Sequence, residues 1–352
     1  MSDKSPIRRI LVTRMKFIGD VVLTTPVLRT LRAAFPDAYI AYLGDRDAVS
    51  LLEWNPCLDE IIPFDFRRST LREQARVAWL LRRRRFDLAI DLFGNPRSAL
   101  LTWLSGARIR VGPERKGRGR LYTVRVRDDG KPKSAIAFHH QSLQAVGISA
   151  SSEKTEIHLT EEERRRGRET IAMAAQNSGG ARVVGIHAGA SWPAKRWPAE
   201  RFAAVADRCA AIHGVRVILT AGPKDEETIA AVERASARLH PVLSGLPLRE
   251  LAAVIAGCDV FVSNDAGPMH IAAAVGTPTI GIFGPGEESI WFPYRQEDGH
   301  LLLRKEVPCH PCRLDFCNRT GEGFMECMNL LGVEEVCGAI ERTLRGSRLT
   351  SR

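Results

Sequence analysis

Asp259-Val-Phe-Val-Ser-Asn-Asp-Ala-Gly-Pro-Met-His-Ile-Ala-Ala-Ala-Val-Gly-Thr-Pro-Thr-Ile-Gly-Ile-Phe-Gly-Pro285 reads strand, tight turn, helix, turn, strand. Residues 260–262 are β-branched or aromatic, as a short buried strand requires. Asn264, Asp265 and Gly267 make the turn, and Pro268 falls in the first helical turn, where its missing N–H leaves no bond unmade. A helix from about residue 269 to 275 then points its free N–H groups back at the turn. Such an end carries roughly half a positive charge and holds phosphates. Asp265, Gly267 and His270 gather there, which favours a ligand site over a plain strand-to-helix connection.

The same alternation extends outward from this stretch. Strands at 183–187 and 215–219 alternate with helices at 199–213, 225–239 and 248–256. In the first half, strands at 7–13, 39–43 and 86–91 alternate with helices from Val21 to about Phe35 and over 71–85, with Gly19 and Asp20 in a loop. A charged helix is expected at 161–175 and a last one at 334–344. This pattern predicts α/β architecture with two mostly parallel sheets. Ligands of such sheets bind outside the carboxyl ends of the strands, here in a cleft between two facing domains. The boundary is expected between residues 150 and 180, giving domains 1–165 and 166–333 and a C-terminal helix and tail, 334–352.

A chain of 352 residues, 44% hydrophobic and 26% charged, has apolar material for two ordinary cores. No run approaches the roughly 20 apolar residues that span a bilayer, and the polar N-terminus does not resemble a signal peptide. A cytoplasmic protein is expected, its eight cysteines reduced or bound to metal rather than paired. The net charge of +10 is uneven: residues 1–150 carry +12 and the remainder −2. Arg82 to Arg85 and the cluster at Arg108, Arg110, Arg115, Lys116, Arg118 and Arg120 belong to the basic half. They imply either a polyanionic partner or a solvated arginine-rich surface. A nucleic-acid module would interleave aromatics or show a recognition motif, and neither is visible.

Four segments can converge on the cleft: residues 14–26 after the first strand, 187–198 and 221–226 after strands of the second domain, and the turn at Asp265–His270. Asp20 begins a helix, where an acid also serves as an ordinary cap. Lys195 and Arg196 sit among small residues and suit a phosphate.

In this order and spacing, Arg14-x-Lys-x-Ile-Gly-Asp-Val-Val-Leu-Thr-Thr-Pro26, His187-x-Gly-x-Ser-x-x-x-Lys-Arg-Trp197 and Ser263-Asn-Asp-Ala-Gly-Pro-Met-His270 resemble the ADP-heptose:lipopolysaccharide heptosyltransferases of glycosyltransferase family 9. The resemblance covers nearly the whole chain. It implies the GT-B fold: two Rossmann-like domains, the first for the acceptor and the second for a nucleotide-sugar. It implies an inverting transferase that moves a heptose from ADP-L-glycero-D-manno-heptose to the inner core of lipopolysaccharide without a cofactor or catalytic metal. Asp20 matches the catalytic general base. Ser191, Lys195, Asp265, Ala266, Gly267 and His270 match donor-phosphate residues, with Lys195 also stabilising the leaving ADP. Asp265 is expected on sugar hydroxyls or holding the turn, Glu226 on ribose and Leu246 beside adenine. Where relatives often carry a hydroxyl residue, Ala190 and Ala266 stand here. The basic domain would meet a phosphorylated lipid-linked oligosaccharide acceptor and the anionic cytoplasmic face of the inner membrane. The alternatives are a related transferase using another nucleotide-sugar for O-antigen or capsule, and a non-catalytic nucleotide-sugar or polyanion binder.

Cys309, Cys312, Cys317 and Cys327 are spaced C-x2-C-x4-C-x9-C. The first pair has zinc-ligand spacing, but the second half lacks it. Reduced thiols packing a loop near the first domain are the expected arrangement, with a structural zinc as the alternative.

Overall fold

β1 (Arg9–Thr13) carries Ile10, Leu11 and Val12 with no exposure on either face, the signature of a central parallel strand covered on both sides. In the computed structural model, residues 6–65, 68–174 and 181–346 are described. The chain divides into two units, Met1–His158 and Leu159–Arg352. The first holds β1, β2 (Tyr39–Asp45), β3 (Glu60–Phe64), β4 (Leu88–Asp91), β5 (Ile109–Pro113) and β6 (Val124–Val126) in the order β3-β2-β1-β4-β5-β6, all parallel. The second holds β7 (Arg182–His187), β8 (Val215–Ala221), β9 (Val242–Ser244), β10 (Val260–Asn264), β11 (Thr279–Ile282) and β12 (Leu301–Leu303) in the order β12-β11-β10-β7-β8-β9, again parallel. Both sheets share one winding: in each, the first strand lies beside the fourth, and the chain turns away in opposite directions from that pair. The expected α/β fold with two parallel sheets is present.

Register follows from side chains that must be buried on both sides. Ile10 stands opposite Ile40 and Leu88, and Val12 opposite Tyr42 and Ile90. One face of this sheet packs on helices Thr25–Ala34 and Ala135–Gln144 through Val27, Leu28, Leu31 and Leu143. The other packs on helices Leu71–Arg83 and Pro96–Leu104 through Leu81 and Leu101. In the second unit, Val184, Ile186, Val260 and Val262 bury Phe202 of helix Ala199–Ala211 and Val336 and Ile340 of helix Val333–Gly346. The charged helix Glu161–Ala174 lies on helix Leu248–Ala256. Gly167 is needed there, because a Cβ would sit 2.2 Å from the carbonyl oxygen of Ala253. The Arg249 guanidinium grips the Glu163 carboxylate at 2.5 and 2.7 Å.

The helix expected from Val21 to Phe35 is instead two, Ile18–Val22 and Thr25–Ala34, and Gly19 and Asp20 belong to the first rather than to a loop. Pro26 has no N–H for the carbonyl of Val22, and the Thr25 hydroxyl donates to that oxygen at 2.8 Å in its place. Strands β3, β5, β6, β9 and β12 lack a clear pattern in the sequence. β3 and β5 contain Pro63 and Pro113, and β9 and β12 are three-residue edge strands. Among the described residues, no helix is long and apolar enough to cross a membrane.

Candidate functional site

In each sheet the reversal between the first and fourth strands opens a crevice at their carboxyl ends, where ligands of such folds bind. In the first unit these strands are β1 and β4. Asp91 closes β4 without exposure, and its carboxylate is fully occupied. Oδ1 accepts from the Thr13 hydroxyl at 3.1 Å and from the Phe93 and Gly94 amides at 2.9 Å; Oδ2 accepts from Ser98 at 2.7 Å and Tyr122 at 2.6 Å. The loop after β4 is thereby pinned. Its Leu92 carbonyl accepts from Arg14 Nη1 at 2.6 Å, Lys16 O accepts from Arg14 Nε at 2.9 Å, and the Phe93 ring centre lies 5.1 Å from the guanidinium. Arg14 thus has one orientation left, and its Nη2 pairs with Asp20 Oδ1. Asp20 Oδ2 accepts from the Phe17 amide at 2.9 Å. Asp20 is 8% exposed. Beside it, Phe17 and Ile18 line a cavity of about 490 Å³ together with Lys16, Asp45, Arg46 and Arg68.

In the second unit the paired strands are β7 and β10. Asn264, at the end of β10, pins both ends of the loop that follows β7: its Oδ1 accepts from the Trp197 amide at 3.1 Å and its Nδ2 donates to Ala188 O at 2.8 Å. Lys195 and Asp265 then meet, Nζ to Oδ2, at 2.6 Å, and the ammonium lies 4.5 Å from the centre of the Trp192 ring. Burial raises the Asp265 carboxyl pKa, and Lys195 opposes that rise. Gly286, beyond β11, allows the backbone to lie against this pair: a Cβ there would be 2.6 Å from Asp265 Oδ2.

Ala266 is the N-cap of helix Gly267–Val275 and has no side-chain cap bond, so the first amides of this helix are not spent on a neighbouring hydroxyl. His270, on the first turn, shares a hydrogen bond of 2.7 Å with the Tyr294 hydroxyl. Burial foremost, and then Lys195, push its pKa down to about 3, which leaves a neutral imidazole. His187 is buried at the end of β7, with its Nδ1 3.1 Å from Thr220 O and 3.2 Å from Thr220 Oγ1. Burial lowers its pKa, with Asp225 opposing, and its part is structural.

The structure therefore gathers Lys195, Asp265, Ala266, Gly267 and His270 at one strand end, with Ser191 exposed beside Trp192. Glu226 is exposed as the first residue of helix Glu226–Ala235. Leu246 is half-buried between β9 and helix Leu248–Ala256, packed on a cluster that includes Ile171, Val183 and Ile218. Sequence reasoning missed Asn264 as a brace, Gly286 as a close approach, and the Asp91–Arg14 support behind Asp20. The Gly284-Pro285-Gly286 run just beyond β11 was the available cue to Gly286.

The cysteine-bearing segment packs on the loops of the second unit. The Asp315 carbonyl accepts from the Ala194 amide at 3.0 Å, Pro285 O accepts from Arg313 N at 2.9 Å, and His310 Nε2 lies 3.0 Å from Gly286 O. These bonds fix the segment against both loops beside Lys195. All eight cysteines are free thiols. Cys327 is pushed up to about 11 by burial and by the neighbouring Cys309, Cys312 and Cys317. Among the described residues, no group of three or more His, Cys, Asp or Glu is arranged to hold a metal ion.

Residues 75–320 match the family model for glycosyltransferase family 9 (heptosyltransferase). Lipopolysaccharide heptosyltransferase 3 of Escherichia coli is 28% identical over 295 residues, 80% of this chain and 84% of that protein. The crystal structure of the family 9 glycosyl transferase from Veillonella parvula superposes with a TM-score of 0.83 at 28% identity, covering 96% of this chain and 97% of that one. The structure of E. coli ADP-heptose lipopolysaccharide heptosyltransferase II has the same fold, with a TM-score of 0.79 at 24% identity over 97% of this chain and 99% of that one.

Proposed function

Because this chain belongs to glycosyltransferase family 9, and is thus a glycosyltransferase of GT-B type, we propose that it moves a heptose from ADP-L-glycero-D-manno-heptose to the inner core of lipopolysaccharide with inversion at the anomeric carbon. The observation that carries the donor half is the Lys195–Asp265 pair, set at the N-terminus of helix Gly267–Val275 at the sheet's reversal point. A diphosphate brought to that corner meets one ammonium and the amides of Ala266 and Gly267. These donors offset the charge that grows on the departing ADP, stabilisation that is in place before reaction. Asp265, released from Lys195 by the phosphates, is left to accept from sugar hydroxyls. His270, neutral, offers a hydrogen bond rather than a charge. The roles of Glu226 at ribose and Leu246 at adenine are supported by position alone, since each follows the carboxyl end of a strand, β8 and β9, of the same sheet.

On the acceptor side, Asp20 takes the proton of the attacking hydroxyl as the new C–O bond forms and the bond to the β-phosphate breaks. Arg14 and the Phe17 amide occupy one site on each carboxylate oxygen and leave further lone pairs open to a substrate proton. The reading assigns no cofactor or metal to this step, and places the enzyme peripherally on the anionic cytoplasmic face of the inner membrane with a phosphorylated lipid-linked oligosaccharide as acceptor. Incubation with ADP-heptose and defined truncated core acceptors, followed by mass spectrometry, tests it. A mass increase of one heptose is expected; transfer only from a different nucleotide-sugar would replace the heptose assignment.

A further inference from the structure

Helices Leu71–Arg83 and Pro96–Leu104 pack side by side on one face of the first sheet, with Leu81 and Leu101 turned into a common cluster. Their outward faces leave large apolar side chains in water: Leu71 is 83% exposed, Trp79 58%, Leu100 46% and Trp103 47%. Helical spacing puts Trp79, Leu100 and Trp103 on continuous faces, while Leu71 is the first residue of its helix. Residues 72, 76, 79 and 83 form one stripe, and 97, 100 and 103 form another. Arg72, Arg76, Arg82, Arg83 and Arg97 are exposed among the tryptophans and leucines. The Arg83 guanidinium stacks 4.6 Å from the centre of the Trp79 ring. The neighbouring turn adds exposed Arg115, Lys116 and Arg120. Glu73 is the acid of helix Leu71–Arg83, and its carboxylate is tied into its own helix cap by the Thr70 amide at 2.7 Å. The opposite layer of this unit, helices Thr25–Ala34 and Ala135–Gln144, exposes no large apolar side chain. Elsewhere among the described residues of this unit, Phe17 (67% exposed) and Trp54 (68%) stand singly in loops, so the run of indole, leucine and arginine along paired helices is particular to this layer.

A partner made of phosphates alone would use the arginines and leave Leu71 and Leu100 wet. An apolar protein surface would cover the leucines and strand the guanidinium groups. An anionic bilayer accommodates both, because indole rings settle at headgroup depth, leucines enter the acyl boundary, and arginines meet lipid phosphates. We propose that the outer face of helices Leu71–Arg83 and Pro96–Leu104 is the surface by which this protein docks on an anionic lipid bilayer. This deepens the membrane part of the proposed function and does not depend on the identity of the donor.

The test uses the full chain with vesicles of phosphatidylglycerol and phosphatidylethanolamine, and with phosphatidylcholine vesicles as the uncharged control. The protein should bind the anionic vesicles with a blue shift of tryptophan emission, lose them as salt rises, and ignore the control. Arg76→Gln with Arg83→Gln should weaken the partition roughly 30-fold, about fivefold per charge. Trp79→Ala with Trp103→Ala should also weaken it and abolish most of the blue shift. Both variants should keep the wild-type melting temperature and the wild-type rate on a detergent-soluble acceptor. Vesicle binding that these substitutions leave unchanged overturns the assignment, as does retention of short RNA in preference to vesicles. Wild-type protein that transfers heptose yet does not bind the anionic vesicles defeats this surface only; wild-type protein that docks without any transfer defeats the transferase reading only.

Discussion

Lys195 Nζ lies 2.6 Å from Asp265 Oδ2, with the two side chains only 16% and 6% exposed, so the charges of the donor corner are balanced within the protein itself. Removing Lys195 strands a carboxylate whose protonation burial already favours. Lys195→Ala is expected to lower stability by about 3 kcal/mol, the usual cost of breaking a buried pair from one side. Adding Asp265→Asn should recover most of that loss in thermal unfolding while leaving ADP binding, read by calorimetry, as weak as in the single variant.

Gly286→Ala should act on the same pair without touching any charge. The new methyl would stand 2.6 Å from Asp265 Oδ2, closer than carbon and oxygen approach. ADP affinity is expected to fall at least tenfold, with circular dichroism unchanged. Retained affinity would mean that this loop does not shape the donor corner.

Asp20→Ala is expected to reduce the transfer rate by about 10² to 10⁴, the range of a general base, while ADP still raises the melting temperature as in the wild type. A variant that transfers at the wild-type rate would remove Asp20 from the reaction.

Arg14→Met should slow transfer through Asp20 rather than through the donor. Its guanidinium is held by Lys16 O, Leu92 O and the Phe93 ring, and it aims Asp20. A drop in kcat with an unchanged KM for the nucleotide-sugar is the expected result; a change in donor KM alone would contradict it.

Glu163 makes part of the stability pH-dependent. Hydrogen bonds from Arg249 chiefly, and then from Thr160, hold its pKa at about 2 in the folded protein against 4.5 for the free group. Its folded value is depressed, so its contribution is complete above the unfolded value and fades as pH falls towards the folded one. The stability difference between wild type and Glu163→Gln should therefore be constant above about pH 5.5 and shrink between pH 4.5 and 2 in urea titrations. A difference that stays constant to pH 2 would contradict the pairing.

Legibility from sequence followed the range of the interactions. Helix Leu248–Ala256 is expected and observed over the same residues, because its apolar period and flanking residues are local. The break at Leu23 and Thr24 escaped notice because the pattern on both sides of Pro26 stays helical, and the hydroxyl of Thr25 quietly takes the unmet carbonyl. β5 was unreadable because Ile109–Pro113 becomes a strand only through its neighbours β4 and β6, with Gly112 making room for the Tyr122 ring.

The sequence by itself determined two α/β halves, the turn at Asp265, and a helix N-terminus free to receive an anion, since turn chemistry, helix ends and strand periodicity act within a few residues. Tertiary structure alone decided that Lys195 pairs with Asp265, that Asn264 braces both ends of the loop after β7, and that Asp91 steadies Arg14 behind Asp20. Those partners are distant along the chain and meet only where parallel strands end side by side. Their geometry therefore belongs to the sheets' order and register, which no local pattern encodes.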